Sequence, residues 1–448
     1  MDKKTIGELR EADRRYVLHP MSSISEHLQK GPGLIVKEGY GIYLKDFEGK
    51  QYIDAMSGAW NVNIGHGRKE LAEAAVKQMN LLPFASTFVD HSHEPVIRLV
   101  EKLASITPGD LNVSFFTSGG SESADSAIKI VRNYWKLKGK EQKTKIIGLR
   151  RAYHGLTVGA TSLTDAFPAR DFSTSNAPGF LHAEPHLTEC ELGDKSQLGY
   201  ESSIRGIIEQ EGADTIAAVI LEPVQGAGGV NISPDGYLQA IRSLCDELDI
   251  LMITDEIVCG FGRTGAMFGV NHWDVVPDLM LVAKGITSGY FPLGAVLIRE
   301  KIVDEMGSSP VSYFIHGYTY SGHPVGAAVA LKNIEIIEQE GLVDNAKYMG
   351  AEFLKGFYQL QKEHPEITNI RFKGLVGAFE IMDYKNEGVP FEKSTIELFN
   401  DELDKRGMLT RSYGNSCLFA PPLIINKQEV EDIINIFSDS FDAWKKKF

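Results

Sequence analysis

Short apolar runs alternate with longer amphipathic stretches between about Leu71 and Tyr290, and this alternation is the clearest pattern in the chain. The runs are apolar at nearly every position, and they include VSFFT, TIAAVIL, ILMITDE and LMLVA. Strands that are apolar on both faces are typical of a parallel sheet with helices on each side. The pattern therefore predicts a doubly wound α/β domain with a mostly parallel sheet.

The two ends of the chain follow other patterns. Residues 41–56 alternate apolar and polar positions around a Glu48-Gly49 turn, which predicts a β-hairpin. The last third combines helical periodicity with short strands and predicts a smaller α+β domain. We predict three parts: an N-terminal segment and hairpin that belongs to the small domain, a large domain, and the C-terminal small domain, at residues 1–59, 60–325 and 326–448.

Composition and charge narrow the class of protein. The 448 residues are 43% hydrophobic and 24% charged, as in a globular protein with a large core. The 46 basic and 60 acidic residues give a net charge of -14, which argues against nucleic acid or an anionic membrane surface as a partner.

Cysteine usage and the N-terminal residues predict a compartment. The cysteines are widely spaced and form no C-x-x-C pair, so we expect free thiols in a reducing compartment. They are Cys190, Cys245, Cys259 and Cys417. The first residues are densely charged and lack the apolar stretch of a secretory signal, and no apolar run approaches the length of a membrane span. We expect a soluble cytoplasmic protein.

A glycine-rich turn follows the VSFFT run and leads into an amphipathic stretch. It contains Gly119, Gly120 and Ser121. The N-terminus of a helix offers free N–H groups to an anion, and glycines allow close approach to a phosphate. Neither a P-loop nor a dinucleotide fingerprint is present, so a single phosphate fits better. The alternative is a strand-to-helix turn capped by a serine.

Two further candidates follow apolar runs at the same predicted edge of the sheet. Asp255 ends ILMITDE together with Glu256, and a buried carboxylate there needs a cationic or donor partner. Lys284 follows LMLVA in apolar surroundings that favour a neutral, nucleophilic amine. The alternatives are a helix cap or an ion pair with Arg263 for the acid, and a snorkelling surface side chain for the lysine.

Together, a phosphate cradle, a carboxylate and an amine meet three requirements of pyridoxal 5'-phosphate: an anchor, a partner for a protonated ring nitrogen and an amine for the aldehyde. The motifs SGGSES, AYHG, LEPVQG, DEIVCGFGRTG, AKG and HGYTYSGHP occur in this order. With them the chain resembles class III aminotransferases of fold type I, and most of all the omega-amino acid or amine:pyruvate transaminases. The resemblance extends from Tyr16 to near Pro422.

The resemblance implies a set of cofactor-binding residues. They are Gly119, Gly120, Ser121, Tyr153, His154, Glu222, Asp255, Ile257, Lys284 and Thr319. Lys284 is the implied Schiff-base lysine and Asp255 the partner of the ring nitrogen, and both are the implied catalytic residues. Tyr153 and Ile257 would flank the ring, and His154 would support the site through hydrogen bonds. Thr319 would reach the phosphate from a neighbouring subunit.

The same resemblance implies substrate-binding residues and an assembly. The residues are Trp60, Phe88, Tyr153 and Arg411, with Tyr318 as a weaker candidate for an apolar wall. Arg411 would bind the carboxylate of the keto acid and swing aside for an amine donor that lacks one. The implied assembly is a homodimer with shared active sites, or a tetramer of two such dimers.

The acceptor and the reaction have alternatives. Val258 stands where relatives that use 2-oxoglutarate commonly have Gln, which favours pyruvate as the acceptor. Transamination with 2-oxoglutarate or a biotin-pathway intermediate is one alternative. Decarboxylation-dependent transamination, an aminomutase reaction and a non-catalytic sensor are the others.

Two histidine pairs have spacings that could bind a metal ion. They are His91 with His93, and His182 with His186. Neither pair has a further set of ligands, so we expect surface histidines and no metal in the chemistry.

Overall fold

The computed structural model describes residues 3–172, 176–383 and 388–447. The α-helices are α1 Lys3–Tyr16, α2 Ile24–Lys30, α3 Ser57–Trp60, α4 Lys69–Leu81, α5 Glu94–Ile106, α6 Gly120–Leu137, α7 Val158–Leu163, α8 Thr188–Glu191, α9 Ile204–Glu211, α10 Tyr237–Glu247, α11 Glu300–Gly307, α12 Pro324–Gln339, α13 Leu342–Glu363, α14 Lys393–Lys405 and α15 Lys427–Lys445.

The strands are β1 Val36–Tyr40, β2 Tyr43–Asp46, β3 Gln51–Asp54, β4 Val113–Thr117, β5 Lys145–Leu149, β6 Phe180–Ala183, β7 Ile216–Leu221, β8 Val224–Gln225, β9 Asn231–Ile232, β10 Leu251–Asp255, β11 Leu279–Val282, β12 Gly294–Ile298, β13 Ile367–Lys373, β14 Val376–Asp383, β15 Val389–Pro390, β16 Met408–Leu409, β17 Arg411–Tyr413 and β18 Ser416–Phe419.

The large central sheet has seven strands in the order β4-β12-β11-β10-β7-β5-β6. β12 runs antiparallel to both of its neighbours, and the other adjacent pairs are parallel. Every residue of β7 and of β10 is buried. The predicted mostly parallel sheet is therefore confirmed. Three of the apolar runs form the central strands β7, β10 and β11, whereas VSFFT forms the edge strand β4.

Alternate residues of the central strands pack into two separate hydrophobic clusters, one on each face of the sheet. In β10, Met252 belongs to one cluster, whereas Leu251 and Ile253 belong to the other. Helix α6 contributes to the second cluster through residues such as Ala127 and Val131. Helices thus cover both faces, as the doubly wound class requires.

The predicted hairpin is present as β2 and β3, which pair antiparallel. The sequence pattern did not indicate two further members of this sheet, β1 and β16. β16 pairs in parallel with β3, so that Met408 lies opposite Ile53. This pairing supports a small domain built from both chain ends, and the boundaries at 59/60 and 325/326 stay a prediction.

A buried arginine, Arg263, connects distant segments of the chain through hydrogen bonds. Arg263 has no exposed surface, and its guanidinium donates to Leu375 O at 2.9 Å, Asn63 Oδ1 at 2.9 Å and Ser57 Oγ at 3.2 Å. It also donates to Pro421 O. Burial lowers the pKa of Arg263 to about 9. The ion pair of Arg263 with Asp255 or Glu256 that we considered is not found in the part of the chain described here.

The cysteines and the helices can be set against the expected thiols and the expected lack of a membrane span. All four cysteines are buried and free, which confirms the expected thiols. Within the described ranges, no helix has both the length and the apolar character that a membrane span needs.

Candidate active site

A cavity of about 570 Å³ opens at the carboxyl ends of the parallel strands. This is the edge where open α/β sheets bind their ligands. Ten of the residues predicted for the site line it: Trp60, Gly120, Ser121, Tyr153, His154, Glu222, Asp255, Ile257, Lys284 and Arg411. Gly119 directly precedes the lining residues of α6.

Lys284 lies just after β11, at the first position of a short 3-10 helix, Lys284–Ile286. Its φ of 46° is in the left-handed region, which is unusual for a residue with a side chain. Burial lowers the pKa of the ammonium group from 10.5 to about 8, although the negative charges of Asp255 and Glu222 oppose this shift. The amine is therefore much more often neutral near pH 8 than an exposed lysine.

Asp255 ends β10 and is only 3% exposed. Its Oδ2 lies 2.8 Å from His154 Nδ1, and its Oδ1 accepts from the Ile257 backbone N–H at 3.0 Å. Because a carboxylate can only accept, Nδ1 of His154 is the donor in this pair. The two hydrogen bonds compensate for burying the carboxylate and fix its direction.

Glu222 follows β7 and lines the same cavity. Its carboxylate accepts from the backbone N–H groups of Tyr153 and Gly226, both at 2.9 Å. Burial raises the pKa of Glu222 to about 7. Glu222 thereby joins the segment that carries Tyr153 and His154 to the loop after β7.

The glycine turn after β4 has the form of an anion cradle. Gly119 is the N-cap residue of the 18-residue helix α6, and a Cβ added there would meet nothing within 4 Å. A Cβ on Gly120 would lie 2.8 Å from Ile257 Cδ1, so Ile257 packs closely over this glycine. Ser121 Oγ accepts from Leu156 N–H at 3.1 Å. The serine cap that we considered is not formed, because the N-cap is a glycine.

The groups in the cavity fit pyridoxal phosphate. A helix N-terminus with a bare glycine can hold the phosphate, and a buried, oriented carboxylate can hold a proton on the ring nitrogen. An amine with a lowered pKa lies in the same cavity. Tyr153 and Ile257 supply surfaces for the ring, since both line the cavity.

The cavity also contains Trp60 and Arg411, which the sequence predicts to bind substrate. Trp60 is 6% exposed, and a Cβ on Gly226 would lie 2.6 Å from its ring, so this glycine is required for the ring to fit. Arg411 opens β17 and is exposed toward the cavity. Among the described residues, no hydrogen bond or ion pair holds its guanidinium group. Val258 also lines the cavity.

The structure does not bring Phe88 and Thr319 into this cavity within one chain. Phe88 lines a separate depression of about 760 Å³ with residues 313–317. Thr319 lies in a turn and is exposed. The hydroxyl of Tyr318 lies 3.3 Å from Ser126 Oγ, and its ring lines neither of these two cavities.

Sequence reasoning missed several lining residues. Phe167 and Tyr413 meet edge to face with ring centroids 5.0 Å apart, and Phe167 also contacts the Tyr153 ring at 6.2 Å. Pro20 and Met21 form another part of the wall. Tyr413 could have been found from its position two residues after Arg411, on the same face of a strand. No sequence signal indicates Phe167.

The expectation of surface histidines is wrong for His93. It is 7% exposed and forms the N-cap of α5, where Nδ1 accepts from Val96 N–H at 3.3 Å and Nε2 lies 2.8 Å from Gly322 O. Its sequence neighbour His91 is exposed. His182 and His186 are only partly exposed, and His182 Nε2 lies 3.2 Å from Leu163 O. The missed signal at His93 is its position before a Glu-Pro helix start.

Comparison with known proteins identifies the family. Residues 24–441 match the family described as aminotransferase class III. Putrescine–pyruvate aminotransferase of Pseudomonas aeruginosa is 38% identical over 440 residues, which cover 97% of this chain and 96% of the relative.

Two solved structures show the same fold. A transaminase from the marine bacterium Virgibacillus is 46% identical with a TM-score of 0.93, over 98% of this chain and 99% of the other. The omega transaminase from Pseudomonas jessenii, in complex with PMP, is 38% identical with a TM-score of 0.91, over 98% of each chain. The chain therefore belongs to the class III aminotransferases and is a pyridoxal-phosphate-dependent transaminase.

Proposed function

We propose that this transaminase takes the amino group of a primary amine or an omega-amino acid and transfers it to pyruvate. The guanidinium group of Arg411 carries this proposal, because it is free of protein partners among the described residues and faces a cavity with largely apolar walls. The apolar side chains of the walls include Trp60, Phe167 and Val258. An amine donor without a carboxylate can pack against these apolar side chains. The keto acid needs the guanidinium group of Arg411 to bind its carboxylate.

Similarity to the putrescine–pyruvate aminotransferase supports a diamine donor and pyruvate as the acceptor. Val258 adds a second reason to expect pyruvate. Its branched apolar side chain at the cavity wall offers no hydrogen bond to a second carboxylate. A five-carbon diacid would leave that carboxylate desolvated, which is costly. Pyruvate has a single carboxylate for Arg411.

The residues predicted for the site have proposed tasks in the cavity. Pyridoxal phosphate, when bound, supplies an aldehyde that reacts with amines and a ring that withdraws electrons. Asp255 keeps the proton on the ring nitrogen, and His154 holds Asp255 in place through the 2.8 Å hydrogen bond. Lys284 anchors the group and then, as a free amine, moves the proton of the amine-bearing carbon.

The other residues hold and orient the group. Gly119, Gly120 and Ser121 hold the phosphate at the N-terminus of α6. Tyr153 and Ile257 enclose the ring from opposite faces. Glu222 joins the Tyr153 segment to the loop after β7, because it accepts from the backbone N–H groups of Tyr153 and Gly226.

We also propose a homodimer in which each active site uses Thr319 and Phe88 of the partner chain. Both side chains lie outside the cavity of their own chain. Around them the surface exposes a large set of apolar side chains: Phe84, Val89, Val311, Tyr313, Ile315 and Tyr320. An apolar patch of this kind marks a protein–protein contact. A second copy that covers this patch would bring the loops that carry Phe88 and Thr319 to the neighbouring cavity.

A reducing, cytoplasmic location is proposed from the free cysteines alone.

The first prediction tests the acceptor and the role of Arg411. Wild-type enzyme with a panel of amine donors forms alanine from pyruvate and little glutamate from 2-oxoglutarate. In Arg411→Ala, kcat/KM for pyruvate falls at least about thirtyfold, or about 2 kcal/mol, because a bidentate carboxylate contact is lost. The half-reaction with a simple amine changes less than about threefold. Stopped-flow absorbance separates the two half-reactions.

Ser412→Ala is the matched control, because Ser412 follows Arg411 on β17 and lines the same cavity. It should leave both half-reactions close to wild type. Equal losses of both half-reactions in Arg411→Ala would contradict the role of the arginine, and a clear preference for 2-oxoglutarate would contradict pyruvate.

The second prediction concerns the pKa of Lys284. The neutral amine is the reactive form, so the rate at which apoenzyme captures pyridoxal phosphate should rise with pH through about 8 and then level off. Asp255→Asn removes a negative charge that favours the ammonium form, so the inflection should move to lower pH. Glu94→Gln, a change in an exposed ion pair on α5, should leave it unchanged. A wild-type inflection near the ordinary value of 10.5 would refute the buried amine.

The third prediction tests the shared active site. Lys284→Ala and Thr319→Asp should each be nearly inactive, the second because its charge repels the phosphate. Random heterodimers of the two variants contain one intact site, so a mixture should recover about a quarter of wild-type activity. Co-expression with two different affinity tags provides the mixed dimers.

A mixture of Lys284→Ala with Asp255→Ala is the control, since these residues lie in the same cavity of one chain and no heterodimer has an intact site. This control mixture should recover no activity. Absence of recovery in the first mixture as well would contradict a contribution of Thr319 across the interface.

A further inference from the structure

Three potential metal ligands converge outside the active-site cavity, in the N-terminal segment. Asp13 lies on α1, His27 on α2, and His19 in the connection between them. One ligand atom from each lies within 4.8 Å of the others. His19 Nε2 is 2.9 Å and His27 Nε2 is 3.7 Å from the same oxygen, Asp13 Oδ1.

These spacings are close to those of a zinc site. Zinc bonds to imidazole nitrogen and carboxylate oxygen are about 2.0 to 2.2 Å long, so neighbouring ligand atoms of a tetrahedral site lie about 3.3 Å apart. The two measured distances lie on either side of this value. The imidazole rings also lie next to each other, with centroids 4.7 Å apart and planes tilted by 59°. A small movement of His27 would complete three ligands around one ion.

The ligand set also fits the chemistry of zinc. Two neutral imidazoles and one carboxylate bind Zn²⁺ well and leave a fourth position for water. Neutral histidine can move its proton from Nε2 to Nδ1, which frees Nε2 as a ligand without a net change in charge. All three side chains are partly buried, at 35% exposure for His19, 26% for Asp13 and 11% for His27. Partial burial limits competition from bulk water.

Nearby arginines have other partners. Arg14 donates to both carboxylate oxygens of Glu11 and to Leu28 O. Arg10 donates to Pro32 O at 2.9 Å. Their guanidinium groups are therefore held by acceptors other than Asp13. Among the described residues, the two histidines are the partners of the Asp13 carboxylate.

The position of this cluster connects it to the active site. Pro20 and Met21, which line the active-site cavity, directly follow His19 in the chain. Met21 has a φ of 54°, so the chain turns sharply at this point. An ion held by Asp13, His19 and His27 would fasten α1, α2 and this wall segment to one another.

We propose that Asp13, His19 and His27 bind a structural Zn²⁺ ion that fixes the Pro20–Met21 wall of the active-site cavity. The ion takes no part in the transfer of the amino group. The site does not depend on the proposed function, since its ligands lie outside the cavity that holds Lys284.

The test is a zinc titration of full-length holoenzyme without a histidine tag, after treatment with EDTA. Calorimetry should show one Zn²⁺ per chain, and Co²⁺ in its place should give the visible absorption of a low-coordinate site. Asp13→Asn and His27→Gln should each weaken binding at least about tenfold. Glu8→Gln is the matched control on α1, because it removes an exposed acid that is outside the cluster, and binding should be unchanged.

A second measurement follows the segment itself. Tryptic cleavage at Arg14 and Arg15 should slow when wild-type holoenzyme is loaded with Zn²⁺ and should not slow in Asp13→Asn. Absence of zinc binding, or equal binding by wild type and both ligand variants, would overturn the proposal. In that case the contacts only position α1 and α2, through the hydrogen bonds of His19 with the Asp13 carboxylate and of His27 with the Asp13 backbone oxygen.

Discussion

The site depends on the common direction of the parallel strands in the central sheet, because only their carboxyl ends meet at one edge. β4, β7, β10 and β11 share this direction, and β12 is the strand that runs against it. The residues that follow these strands are far apart in sequence. The sheet places the α6 N-terminus, Glu222, Asp255 and Lys284 around one cavity of about 570 Å³. A register that slipped by one residue would turn these side chains into the hydrophobic layers.

Burial at this edge has opposite effects on its ionisable groups. It lowers the pKa of Lys284 to about 8 and raises that of Glu222 to about 7. Asp255 has strong local donors instead, in His154 and the Ile257 backbone N–H. The amine of Lys284, which is readily neutral, therefore shares the cavity with the carboxylate of Asp255, which is oriented to pair with a cationic ring nitrogen. The same apolar surroundings favour the neutral amine of Lys284 and contain the carboxylate of Asp255. The two groups differ in the hydrogen bonds that are available to them.

The sequence predicted the features that depend on local pattern. Apolar runs identified the central strands, and residues at the ends of those runs identified Asp255 and Lys284. Long-range pairing was not predictable in this way, since two-residue strands such as β16 have too little pattern to show that they join β3. Phe167 likewise reaches the cavity through tertiary packing alone. Resemblance to a family supplied Thr319, because the contact that we propose for this residue with another chain leaves no signal in the pattern of its own chain.

Identification of the lysine that carries the cofactor tests the proposed site at its centre. Reduction of the holoenzyme with borohydride fixes pyridoxal phosphate to the amine that it has condensed with, and peptide mapping by mass spectrometry then locates that amine. We expect one labelled site, Lys284, in the peptide that follows β11. A label on any other lysine, with Lys284 unmodified, would contradict it.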